Sequence, residues 1–173
     1  MIITVEDLKK RVSCGTATDN LITAKLEAIE AVIRAYTNNN FQQRPVRFAG
    51  RSEDFRVYGS PRFFAVGDTV QISGSGVNDG LYVVTVVDDD HLELDKPLMP
   101  TRLNLVTKIK YPADVIQCAV DLFKWNLTMG DKVGIKSETI SRHAVTYEDS
   151  ATLFMGYPVG ILNGLNLHKK ARC

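Results

Sequence analysis

Cysteine and tryptophan are scarce, with three Cys and one Trp in 173 residues. Cys14, Cys118 and Cys173 lie far apart, their number is odd and no CxxC pair occurs. That excludes a disulfide framework and a zinc knuckle and leaves reduced thiols as the expectation. Long apolar runs are absent too: the most apolar stretch, residues 81–87, falls far short of the ~20 residues a membrane helix needs. The first residues, Met-Ile-Ile-Thr-Val-Glu-Asp, show no basic start, apolar core or small-residue cleavage site. Neither secretion nor membrane insertion is expected. Nor is there an excess of one charge, since Lys and Arg total 21 against 20 Asp and Glu, a net charge of +1. This balance excludes a chain that gathers nucleic acid by bulk charge, and equally an acidic disordered tail.

What is present is an ordinary globular composition, 45% hydrophobic and 24% charged, at a length that suits one domain or one domain with a small insert. Charge falls into three parts. Residues 1–47 hold seven basic and five acidic groups, 48–107 five and nine, and 108–173 nine and six. Residue texture changes at the same places.

The first part reads as helix. Thr4 with Asp7 three positions on echoes a capping box and predicts a short helix over Val5–Val12, broken by the polar stretch around Gly15. Asp19 or Thr18 then caps a longer helix to about Tyr36. Its Ile22, Leu26, Ile29, Ile33 and Tyr36 recur at spacings of four and three, with Leu21, Ala28 and Val32 widening the stripe. Asn38-Asn39-Asn40 ends it, because Asn favours caps and turns.

The middle part reads as β, with strands expected at Asp54–Tyr58, Thr69–Ser73, Leu81–Val87, His91–Leu94 and near Leu103–Ile109. Gly59-Ser60-Pro61, Gly74-Ser75-Gly76, Asn78-Asp79-Gly80 and Asp88-Asp89-Asp90 supply the turns. Short strands with tight turns in so few residues predict a small SH3-like barrel. The third part returns to helix. Pro112 and Asp114 suit a first turn, Val115, Ile116, Ala119, Val120, Phe123 and Leu127 form the expected buried face, and Gly130 stops it. Residues 135–147 alternate loosely, as a hairpin or extended arm. From Tyr157 an apolar tail runs through Val159, Ile161, Leu162, Leu165 and Leu167 to Lys169, Lys170 and Arg172, with Gly156, Gly160 and Gly164 weakening any helix. The expected fold class is α+β. A helical core is formed by residues 1–47 and 108–173, with a β-barrel module inserted at 48–107. The tail docks either on a partner or on the chain's own core.

No catalytic constellation stands out. Gly130-Asp-Lys-Val-Gly134-Ile-Lys136-Ser137 resembles a phosphate loop, but Ile separates the second Gly from the Lys and a helix precedes the loop, so it reads as a helix stop and turn. Asp88, Asp89, Asp90, His91, Glu93 and Asp95 fit neither a calcium loop nor a His-Glu zinc motif, and read as a solvated face. Ser141, His143 and Asp149 lie close in sequence without a nucleophile elbow. The chain is therefore read as no enzyme, with no cofactor and no metal. A small hydrolase built on His143 and Asp149 is a third-ranked alternative. A nucleic-acid-binding or scaffold role for the barrel is the second, opposed by the acidic excess of residues 48–107.

Several segments carry a family resemblance: the short helix Val5-Glu-Asp-Leu-Lys-Lys-Arg-Val12, the long helix with its Asn38-Asn39-Asn40-Phe41 exit, and Tyr111-Pro112-Ala-Asp114-Val115 at the start of the third helix. Gly134-Ile-Lys136-Ser137-Glu138-Thr-Ile140-Ser141, running on to Ala144-Val145-Thr146-Tyr147, and the apolar tail with its basic end complete it. Over residues 1–47 and 108–173 the chain resembles the head–tail connector (adaptor, head-completion) proteins of long-tailed bacteriophages. The resemblance implies a structural virion-assembly protein, a subunit of a twelve-fold ring that joins the portal of a phage head to the neck. DNA would pass through its channel without sequence-specific binding. The implied partners are other copies of the chain, the portal protein and the next neck or stopper protein. The implied location is the virion neck, after assembly in the host cytoplasm. Tyr157, Pro158, Val159, Ile161, Leu162, Leu165, Leu167, Lys169, Lys170 and Arg172 become the expected portal or subunit interface. Lys136, Ser137, Glu138, Ile140 and His143 become the expected neighbour or neck contact. On this reading, removal of residues 157–173 leaves a folded protein that no longer binds the portal.

Overall fold

The computed structural model describes residues 1–129, 137–140, 143–146 and 153–171. The fold is mixed α+β, and the chain divides into two compact units: residues 2–39 with 112–173, and Met1 with residues 40–111.

In the first unit, α1 (Val5–Arg11) starts where Thr4 Oγ1 accepts the Asp7 amide at 3.1 Å. Thr18, rather than Asp19, caps α2 (Asp19–Thr37), and Asn38 closes it in the left-handed conformation, φ 48°. Ile22, Leu26, Ile29, Val32 and Ile33 form the buried stripe. Leu21 and Ala28 are exposed, so the stripe is narrower than expected on that side. Glu30 is buried despite its charge and accepts the Ile2 amide at 3.1 Å. In α3 (Ala113–Met129) the buried face is Val115, Cys118, Ala119, Leu122 and Phe123, an i, i+3, i+4, i+7, i+8 series with Val120 beside it. Ile116 is half-buried and Leu127 exposed. Cys118 behaves here as a small apolar residue and rotates the face away from the expected one. Helix α2 packs on α3.

Beyond α3, β5 (Ser137–Ile140) and β6 (His143–Thr146) pair antiparallel, Ser137 opposite Thr146 and Ile140 opposite His143. β7 (Leu153–Phe154) and β8 (Tyr157–Pro158) are joined by Met155 and Gly156, both at positive φ, the requirement of the tightest hairpin turn. A short α4 (Val159–Leu162) and a 3-10 turn (Asn163–His168) follow, packed against α3 and α2.

The second unit is an antiparallel sheet of β1 (Gln42–Tyr58), β2 (Thr69–Ser73), β3 (Gly80–Val87) and β4 (His91–Ile109). The order is β1-β4-β2-β3, with β3 also paired to β4. β1 pairs with β4 alone, so the sheet is open at that edge rather than closed. β1 and β4 are far longer than expected. β4 runs unbroken where two strands were predicted, because residues 95–102 keep β1 as a partner, with Asp54 opposite Leu98 and Ser52 opposite Thr101. Pro97 and Pro100 are tolerated there because β4 has β1 as its single partner over that stretch. Val57, Val70, Ile72, Val84, Leu92 and Val106 form this unit's own core.

Candidate interaction surfaces

The tail is strapped across the C-terminal end of α2. Asn38 Nδ2 donates to the carbonyls of Lys170 (3.3 Å) and Ala171 (2.9 Å), and Asn39 Nδ2 donates to that of His168 (3.1 Å). The Lys170 amide donates to the Thr37 carbonyl at 2.8 Å, satisfying one of the acceptors a helix end leaves open. Lys169 Nζ lies 3.9 Å over the Tyr36 ring, and the Tyr36 hydroxyl donates to Asn163 and Asn166. His168 Nε2 meets Asp114 Oδ2 at 2.6 Å, and that hydrogen bond holds the Asp114 carboxyl below its usual range.

Of the expected interface residues, Tyr157, Pro158, Leu162 and Leu165 are buried in the chain's own helical unit. Val159 and Ile161 are half-buried, while Lys169 and Lys170 are exposed. Leu167 is 92% exposed. Arg172 lies outside the described residues. Of the two alternatives for the tail, the structure packs it on its own core. Loss of residues 157–173 is therefore a core truncation, and it cannot leave the rest of the unit intact.

Within the helical unit, a groove of about 440 Å³ is lined by Cys118, Ile161, Gly164 and Leu165 together with Asp114, Gln117 and Asp121. Asp121 Oδ1 accepts from Gln117 Nε2 at 3.0 Å and lies 3.7 Å from Lys124 Nζ. Burial pushes the Cys118 thiol up to about 11, which makes it a packing group at neutral pH rather than a nucleophile.

In the neck-contact segment, Lys136 lies outside the described residues. Ser137, Glu138, Ile140 and His143 fall in the β5–β6 pair, where only the backbone is described. Ser141, Asp149 and the phosphate-loop-like residues 130–136 also lie outside, so the His143 hydrolase geometry is not among the described residues.

On the β unit, His91 Nδ1 meets Asp90 Oδ1 at 2.7 Å, which lowers the Asp90 carboxyl, and His91 Nε2 stands 3.9 Å from Glu93. Asp95 Oδ1 accepts the Val83 amide at 2.8 Å. Ligand atoms of Asp88, Asp90 and His91 lie within 4.8 Å of one another, but both carboxylates are exposed and an acidic turn alone makes no metal site. A polar groove of about 520 Å³ includes Glu53, Asp54, Arg56, Tyr58 and Glu93, and Arg56 Nε donates to Glu93 Oε1 at 2.8 Å, so those two charges offset each other.

Residues 40–111 carry nine basic and nine acidic groups, because β1 and β4 extend far enough to take in Arg44, Arg47 and Lys108, with Lys110 just beyond. The acidic excess read for residues 48–107 therefore does not describe this unit. Arg44, Arg47, Arg51 and Arg102 are all exposed on it.

Sequence reasoning missed the buried polar knot around Asn78 and the exposed Phe63. Only the turn-forming Asn78-Asp79-Gly80 string hinted at the first. No described helix is long and apolar enough to cross a membrane. No protein-family model matches the chain, and no curated protein matches it.

Proposed function

We propose that this chain is a non-enzymatic assembly protein, a subunit of the ring that joins a phage portal to the neck and forms part of the DNA channel. The observation that carries the reading is the union of residues 2–39 and 112–173 in one helical unit despite the β unit between them in sequence. They make up most of the two stretches, residues 1–47 and 108–173, that resemble the connector proteins. The strapped tail adds support, since it ends in an exposed Leu167 followed by exposed Lys170, an apolar anchor with an orienting charge. An SH3-like character for the β unit belongs to the same proposal. It is favoured by β4, which pairs with β3 at one end and β2 at the other. Co-sedimentation with purified portal rings tests the role: the wild-type chain should pellet with the portal and Leu167→Asp should not. Failure of the wild type to pellet overturns it.

One observation favours a second reading, nucleic-acid binding by the β unit. The unit is neutral rather than acidic, and Arg44, Arg47 and Arg51 are exposed along β1. Binding of this kind would weaken steeply with salt. Triple substitution of these arginines by Ser should then abolish DNA retention at low salt.

A further inference from the structure

Two features of this chain complement each other. The first is a knob on the β unit. Phe63 is 80% exposed and holds φ 70°. Bulky side chains rarely adopt this left-handed conformation, and it persists where neighbours impose it. Here Lys108 Nζ donates to the Phe63 carbonyl at 3.1 Å and pairs with Asp68 at 2.5 Å. Asp68 Oδ2 accepts the Ala65 amide at 2.7 Å, and the Gly67 amide donates to Val84 at 2.8 Å. The next ring, Phe64, is turned inward, edge-on to Phe48 at 5.6 Å. The loop thus fixes one ring inside and one outside, with Val66 exposed behind the outer ring and Arg62 exposed before it. A loop backbone held in place before binding loses little freedom on contact, and Phe beside Arg is the chemistry of an interface anchor.

The second feature is the groove on the helical unit. Cys118, Ile161 and Leu165 make its lining largely apolar, Asp114 and Asp121 also line it, and a Cβ built on Gly164 meets nothing within 4 Å. Asp114 is already paired with His168; among the described residues, Asp121 accepts from Gln117 at 3.0 Å and stands 3.7 Å from Lys124, a longer and exposed ion pair. An apolar lining beside a carboxylate held only by a long, exposed ion pair fits an aromatic ring that brings a guanidinium beside it.

We propose that Phe63 of one copy seats in the Cys118–Gly164–Leu165 groove of a second copy, with Arg62 against Asp121. Leu167 is also exposed, but its neighbours His168 and Lys169 are engaged by Asp114 and Tyr36, so it brings less free charge to the groove. Knob and groove are different patches, so the contact is heterologous: it repeats head to tail, and closes into a ring or continues as a filament. Only the expectation of closure rests on the ring proposal above.

Sedimentation velocity across a concentration series tests the contact. The wild type should associate. Gly164→Leu, which fills the groove from open space, should weaken association by about 30-fold while its unfolding temperature stays at or above the wild-type value; Phe63→Ser should weaken it equally. Arg62→Glu and Asp121→Arg should each weaken association, and combining them should restore it. A wild type that stays monomeric to about 1 mM, where only contacts weaker than this would go undetected, overturns the inference. So does association that Gly164→Leu leaves unchanged. Closed rings that survive Gly164→Leu overturn the groove contact and leave the ring proposal standing. Phe63-dependent chains that never close do the reverse.

Discussion

A Cβ built on Gly50 would stand 1.7 Å from the Tyr58 carbonyl oxygen. Two residues of the same strand touch because β1 bends sharply through register shifts at Gly50/Ser52, Ser52/Asp54 and Asp54/Arg56. Gly50→Ala cannot be accommodated without moving backbone. It should destabilise the β unit by about 3 kcal/mol, read as a lower urea midpoint. An unchanged midpoint would mean that β1 does not bend this way.

Asn78 is the centre of a buried polar knot. Its Nδ2 lies 2.9 Å from the Met99 carbonyl, 3.1 Å from Ser52 Oγ and 3.2 Å from Asn104 Oδ1, and its Oδ1 accepts the Met99 amide at 2.8 Å. Asn78→Ala strands several buried groups at once and should cost about 3 kcal/mol. Hydrogen exchange at the Met99 amide should accelerate with it.

These two relationships mark where sequence reading stops. The stripe of α2 was legible because Ile22, Leu26, Ile29 and Ile33 repeat with the helical period, and Thr4 and Thr18 because a cap is a local device. β2 was legible because Thr69, Val70 and Ile72 form a short β-branched, alternating stretch ending at the Gly74-Ser75-Gly76 turn. The full length of β1 and β4 was not, because Pro97 and Pro100 look like a break unless the pairing of β4 with β1 is known. The tail was half legible: its apolar residues were visible, but which of them face inward depends on α2 and α3. Phe63 gave no signal, because exposure is set by its neighbours and not by its own sequence.

Leu165 and Leu167 separate the tail's two roles. Leu165 is 1% exposed, so Leu165→Ala should lower the stability of the helical unit by about 2–5 kcal/mol. Leu167→Ala should leave the thermal unfolding midpoint within a degree or two. Equal effects from the two substitutions would contradict the packing described for the tail.

The His168–Asp114 pair makes the strap sensitive to acid. The folded-state pKa of Asp114 is lowered, mainly by the hydrogen bond from His168. Its contribution is therefore present above the ordinary carboxylate value of 3.8 and is lost as pH falls through the folded value. The side chain is half exposed, so the effect is small. Thermal unfolding from pH 2 to pH 6 should show Asp114→Asn less stable than wild type at the upper end and the two converging at the lower.

The proposed role is that this chain assembles as a ring at a portal. Negative-stain electron microscopy of the purified protein, alone over a concentration series and mixed with portal rings, tests it most directly. Closed rings with an open channel, free or stacked on the portal, are the predicted result. Isolated small particles under every condition, with the portal bare, would contradict it.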